Sequence, residues 1–372
     1  MNRILTTLLL FTYLLAACAP TAPTAVPTDV SYPSPGTPTA ASYPSYPSSA
    51  SPRTLTIMTH DSFSASEEVV AQFEQENNVK LSFLKSGDTG ATLNKAILSK
   101  EAPLADVFFG VDNTFLSRAL EADIFEPYNS PLLAEIPAEF KLDSQNRALP
   151  VDFGDVCINY DKAWFAGKNL PVPASLDDLL KPEYKGLLVV ENPATSSPGL
   201  AFLLATIARY GDPGYLDYWK ALKANGVVVV NGWETAYYTN FSASSGQGPQ
   251  PMVVSYASSP AAEVIFASQP LTEAPTASLL DGCFRQIEFV GILKGTPNRD
   301  LAEKFVDFML SVPFQQDVPM QMFVYPVNPA AQLPDEFVQY AQTAPSPASL
   351  PVEQIAANRE QWIEAWTQAV LR

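Results

Sequence analysis

The sequence predicts an α/β fold built as two doubly wound lobes. Short β-rich apolar runs alternate with amphipathic helical patterns from residue 53 onward. The stretch 53–372 is longer than one parallel sheet usually organises, which argues for two lobes rather than one. Hydrophobic residues make up 47% of the 372, enough to give each lobe a core.

The first segment, 1–18, reads as an address. Arg3 supplies a positive start, 4–17 are apolar, and the stretch is short for a membrane span. It ends Leu15-Ala16-Ala17-Cys18, which resembles a bacterial lipobox, where the cysteine is lipidated and becomes the mature N-terminus. An ordinary signal peptide with a chance cysteine is the other reading. A lipid on Cys18 would hold the chain at the cell membrane, facing the extracellular or periplasmic side. Residues 19–52 carry nine prolines and one charge, Asp29. That composition cannot offset its own ordering entropy, so a disordered, partly polyproline tether is expected, glycosylated or not. No second run of about 18 apolar residues follows, so the remainder is expected to be soluble.

Strand runs are 55–59, 79–83, 105–110, 156–160, 186–190, 227–231 and 252–256. A helix over 64–77 opens with Ser64-x-x-Glu67, a capping box, and lines up Val69, Val70 and Phe73. Residues 91–100 do the same with Leu93, Ala96 and Ile97. Further helices are expected over 199–210, 213–224, 298–310 and 352–371.

Charge and composition exclude several functions. Acidic residues outnumber basic ones 39 to 22, a net charge of −17, which argues against a nucleic-acid partner. The one histidine, His60, and three cysteines exclude His-rich metal centres and four-cysteine clusters; no metal and no cofactor are expected. Cys157 and Cys283 lie in strand-like runs. In an oxidising compartment a disulfide between them is expected, with two buried thiols as the other reading.

In open α/β sheets, ligands sit beyond the carboxyl ends of strands, where helix N-termini offer free N–H groups. Five strand ends carry suitable loops: His60-Asp61-Ser62-Phe63, Ser86-Gly87-Asp88-Thr89-Gly90, Thr195-Ser196-Ser197-Pro198-Gly199, Gly232-Trp233-Glu234 and Ala257-Ser258-Ser259-Pro260. The third has the small hydroxyls and glycine of an anion site but no Walker lysine, which disfavours nucleotide hydrolysis. A plain helix cap explains the same residues, as it does Asp61 and Asp88. Trp233, Tyr237, Tyr256 and Phe323 would by default be core residues.

Taken in order, a set of short motifs points further. They are Thr59-His60-Asp61-Ser62-Phe63, Ala105-Asp106-Val107 with Asp112-Asn113, Asp152-Phe153-Gly154, and Thr195-Ser196-Ser197-Pro198-Gly199-Leu200. Gly232-Trp233 with Ala236-Tyr237, Ser255-Tyr256 with Ser258-Ser259-Pro260, Tyr325-Pro326-Val327 and Arg359-x-x-Trp362-x-x-x-Trp366 follow. In this spacing, over 55–372, the chain resembles the thiamine-binding proteins of bacterial ABC transporters, a branch of the extracellular solute-binding proteins. The resemblance implies a periplasmic-binding-protein-like class II fold, two α/β lobes joined by a two-strand hinge. The strands would cross near 150–155 and 286–291. Lobe I would hold 53–151 with 287–313, and lobe II 152–286 with 314–372.

The resemblance also implies a ligand, thiamine or one of its phosphate esters, and a permease that reads the loaded, closed form. It implies a monomer that does no chemistry on its cargo. Asp88 and Thr89 stand where the family has an Asp-Gly pair, and Ser196 and Ser197 where it has Ser-Thr. Trp233 matches a tryptophan, and Tyr256, Ala257, Ser258, Ser259 and Pro260 match a Tyr-Thr-Thr-Ser-Pro run. Phe323 falls at a stacking tryptophan and His60 at a tyrosine, with Asp61 beside it. On this alignment Trp233, Tyr256 and Phe323 form aromatic walls, and Asp88 supplies charge and hydrogen bonds. Ser196, Ser197, Ser258 and Ser259 serve the hydroxyl or phosphate end. Other cargoes stay open on the same scaffold, such as a polyamine or another pyrimidine. Iron is disfavoured, because Tyr237-Tyr238 is the only adjacent tyrosine pair and is expected to face apart. A secreted thiamine-processing enzyme would need a free nucleophilic cysteine.

Overall fold

The computed structural model describes residues 52–244 and 247–372. The expected leader 1–18 with Cys18, and all but residue 52 of the expected tether 19–52, lie outside the described residues. The chain begins β1 (Arg53–Thr59), α1 (Glu67–Asn77), β2 (Val79–Lys85), α2 (Thr89–Leu98), β3 (Val107–Asp112), α3 (Leu116–Glu121) and β4 (Phe125–Glu126). A long strand β5 (Leu149–Asp161) leads to α4 (Lys162–Lys168), β6 (Leu188–Glu191), α5 (Ser197–Tyr210), α6 (Gly214–Ala224) and β7 (Val228–Val230). Next come a short α7 (Trp233–Thr235), β8 (Met252–Tyr256) and α8 (Ser259–Ile265). The longest strand, β9 (Thr276–Leu293), precedes α9 (Arg299–Leu310), α10 (Val312–Gln321), β10 (Tyr325–Pro326), α11 (Asp335–Tyr340) and α12 (Val352–Val370).

The strands order as β2-β1-β3-β9-β5-β8-β6-β7. β1 runs parallel to β2 and β3, and β6 runs parallel to β7 and β8. Between these two parallel trios stand β9 and β5, antiparallel to each other and to their outer neighbours. The α/β class is therefore as predicted. The stretches 150–155 and 286–291 both lie within this central pair, where Phe153 faces Ile287. A disulfide between Cys157 and Cys283 joins the same two strands, packed beside Ala257 and Ala344.

Local chemistry explains most boundaries. α1 starts later than the capping-box pattern predicts: its N-cap is Ser66, whose hydroxyl accepts from Val69 N at 3.3 Å. Ser64 instead donates to Gln321 of α10, so a tertiary partner outcompetes the local one. Asp317 of α10 accepts from Ser66 N at 2.7 Å and ties α10 to α1. α9 buries Leu301, Ala302, Phe305, Val306 and Met309 at three- and four-residue spacing, a single apolar stripe. α12 lays Trp366 edge-on to Trp219 of α6 at 5.4 Å. Further along, its Arg359 stands over the Phe115 ring beside α3. Among the described residues, no helix is long and apolar enough to cross a membrane.

Candidate functional site

Two helix N-termini face each other. Asp88 caps α2, its carboxylate accepting from Thr89 N at 2.6 Å. Ser196 caps α5, accepting from Gly199 N. The first turn of α2 closes on the loop before α5: Gly90 N and Ala91 N both donate to Thr195 O, at 3.0 and 3.3 Å. Only glycine allows this approach, because a Cβ at Gly90 would lie 2.8 Å from Ala194 O. Thr89 and Ser197 hydroxyls meet across the same gap at 3.4 Å.

Beside this junction lies a cavity of about 440 Å³, within the range of small-molecule sites. One wall is aromatic. Trp233 stacks on Tyr237 at 4.9 Å and 19°, and Tyr256 stands 6.5 Å away at a steep angle. Each ring is held by a polar anchor. Trp233 Nε1 donates to Ser255 Oγ at 2.9 Å, Tyr237 OH to Glu263 at 2.6 Å, and Tyr256 OH to Gln286 at 3.3 Å. Phe323 adopts a left-handed φ of 59° and borders the cavity, its ring edge-on to Phe266. Tyr238 also borders it, so Tyr237 and Tyr238 share the site rather than facing apart. The pair lies in a π-helical turn over Ala236–Asn240, with the two rings edge-on at 5.4 Å.

The other side is acidic. Asp88 is held between backbones, because its second oxygen accepts from Trp233 N at 3.0 Å. Burial pushes its pKa up, while the N–H of Trp233 and the Ser196 hydroxyl pull the other way. His60 lies over Glu288, Nε2 to Oε1 3.5 Å. Burial disfavours a charged imidazole there, but Glu288 and Asp88 outweigh it and hold the pKa above its ordinary value. Gly110, at φ +102°, leaves room for that ring; a Cβ there would collide with it. Glu288 lines the cavity and is only 7% exposed. Behind it, burial raises the Asp112 carboxyl to about 8, against hydrogen bonds from Thr114. Burial, with Glu288 beside it, also drives Asp152 well upward.

Of the residues singled out from sequence, His60, Asp61, Asp88, Thr89, Ser197, Trp233, Tyr256, Ser259 and Phe323 border the cavity. Ser196, Ala257, Ser258 and Pro260 do not. Ser196 is the buried cap of α5, Ala257 and Ser258 are buried behind Tyr256, and Pro260 sits in the first turn of α8. Sequence reasoning missed Glu288, Tyr238, Asn231 and Met322. For Glu288 a signal existed: a carboxylate set inside the apolar run Ile287 to Leu293. Among the described residues, no cluster of His, Cys, Asp and Glu has the makings of a metal site. The cavity thus has rings for a flat solute, buried carboxyl groups for a cationic one, and hydroxyls for a polar arm.

Comparison with known proteins agrees with this geometry. The profile of a bacterial extracellular solute-binding protein family matches residues 102–344. The thiamine-binding periplasmic protein of Salmonella typhimurium (strain LT2) is 32% identical over 323 residues, covering 86% of this chain and 94% of the relative. The protein of the same description from Escherichia coli (strain K12) is 30% identical, over 86% of this chain and 94% of its own. A solved structure described as a periplasmic thiamin binding protein superposes with a TM-score of 0.75 at 26% identity, covering 86% of this chain and 97% of that one.

Proposed function

The chain belongs to the bacterial extracellular solute-binding proteins, and on that premise we propose that its cargo is thiamine or a thiamine phosphate ester, delivered to an ABC importer. The protein binds and releases its solute and is not an enzyme. The observation that carries the cargo is the cavity itself, a ring-walled space with buried carboxylates on its opposite side. Thiamine joins a flat aminopyrimidine to a cationic thiazolium with a hydroxyethyl arm. Trp233, Tyr256 and Phe323 would flank the rings, and His60, Asp61, Asp88 and Thr89 would contact the polar edges. Ser197 and Ser259 would serve the arm or its phosphate, with Ser196, Ala257, Ser258 and Pro260 supporting them from behind. Capture would close two bodies hinged at β5 and β9, and closure is favoured only by as much as the cargo binds the closed form better. A monomer suffices for this.

The test is calorimetry with thiamine, its mono- and diphosphate, spermidine and ferric citrate. Binding of a thiamine compound at micromolar or lower Kd is expected; binding of spermidine or iron alone would transfer the site to another cargo. We also propose that Cys18 is lipidated and that 19–52 form a tether from the membrane. Cys18→Ala should then move the protein from the membrane fraction to the soluble one; unchanged fractionation would remove the anchor.

A further inference from the structure

Glu288 is the buried cavity carboxylate to which, among the described residues, no backbone N–H donates. Asp88, by contrast, accepts from two backbone N–H groups. The neighbours of Glu288 are side chains: the His60 ring, Nε2 to Oε1 3.5 Å, and the Asp152 carboxyl. It is also not alone. Glu288 stands in register with Asp112 on β3 and with Asp152 on β5. Residues paired directly across neighbouring strands project to the same face, with backbones about 5 Å apart. The three carboxylates therefore form a row across the central strands. Asp112 is fully buried and Asp152 is 1% exposed, with neither oxygen of Asp152 hydrogen-bonded.

The surroundings hold little positive charge. Thr114 Oγ1 and Phe115 N donate to Asp112. Arg359 of α12 lies within electrostatic reach of Asp112 but is itself paired with Glu360 at 2.9 Å. The His60 imidazole faces Glu288, and Lys85 of β2 acts on that imidazole. Tyr256 of β8 and Asp88 of α2 face the same space, and Asp88 has a further buried carboxylate, Glu191, behind it. Burial, with the Glu288 carboxylate alongside, makes Asp112 and Asp152 hold their protons more firmly than ordinary carboxyls do. A fixed positive charge at Glu288 offsets the influence of that carboxylate.

We propose that Glu288 reads the positive charge of the cargo, and that one of the groups beside it, Asp112, Asp152 or His60, gives up a proton as the cation arrives. This rests on the cationic cargo proposed above. The sign follows directly: if the complex binds fewer protons than the free protein, affinity rises with pH. The window is set by the Asp112 carboxyl, raised to about 8, and by His60, held above its ordinary value. Between about pH 6 and 8, Kd should tighten up to about tenfold per pH unit for each proton released.

Calorimetry of the intact mature protein with thiamine, at pH 7 in phosphate and in Tris, counts those protons. The apparent enthalpies should differ by about one buffer protonation. An analogue with a neutral thiophene in place of the thiazolium should show no such difference. Glu288→Gln should weaken thiamine about tenfold or more and leave the neutral analogue within about twofold. Should that variant not fold, Asp152→Asn supplies a second reading: the enthalpy difference between the two buffers should shrink for thiamine, and an undiminished difference would take Asp152 out of the row. Equal enthalpies for thiamine in both buffers, or equal losses for both ligands, overturn the proposal and leave the cargo intact. No heat with thiamine in either buffer overturns the cargo assignment itself.

Discussion

The two sides of the cavity are built in opposite ways. On the aromatic side, three rings have their polar atom engaged: Trp233 with Ser255, Tyr237 with Glu263, Tyr256 with Gln286. On the acidic side, no donor reaches the Asp152 oxygens among the described residues, and Glu288 meets only the His60 ring at 3.5 Å and the Asp152 carboxyl. Satisfied polar atoms lock rotamers and so define shape. Unsatisfied buried ones carry a standing desolvation cost that the right ligand relieves. The walls therefore select the outline of a solute, and the floor selects its charge.

The largest effect should come from breaking the aromatic side. Trp233→Ala removes a stacked indole and its Ser255 bond, and should weaken thiamine about a hundredfold in calorimetry. An unchanged titration would take Trp233 out of the site. Glu288→Gln, on the acidic side, comes next, with its loss confined to cationic ligands. Asp88→Asn should do least, about threefold, and should weaken charged and neutral ligands alike, because its oxygens serve the N–H groups of Thr89 and Trp233. A loss confined to cations would give Asp88 the charge-reading role that the sequence motifs imply, and blur the division between the two sides.

Much of this architecture was legible in the sequence because it is local. The run 252–256 is a strand with those bounds, and the expected helix over 199–210 needs only two more residues at its start. What escaped depends on distant partners. β9 spans Thr276–Leu293 with Asp281-Gly282, Arg285, Gln286 and Glu288 along it, and shows no clean alternation because it is covered on both faces in part and serves the cavity in part. α10 was hidden by Pro319 inside the helix and Pro313 in its first turn. The aromatic walls were readable as motifs at strand ends. The acidic row was not, since Asp112, Glu288 and Asp152 are far apart in the chain and meet only through strand pairing. Three carboxylates each embedded in an apolar run are, in retrospect, the pattern to look for.

The contact between Gly90 and Thr195 has a kinetic meaning. The first turn of α2 is tied to the loop before α5 by bonds from Gly90 N and Ala91 N to Thr195 O, made by backbone alone, and they would act as a latch beside the cavity. Dwell time would then be governed by how often that latch slips. Residence and recognition become separately adjustable, so off-rates can drift in evolution while selectivity stays put.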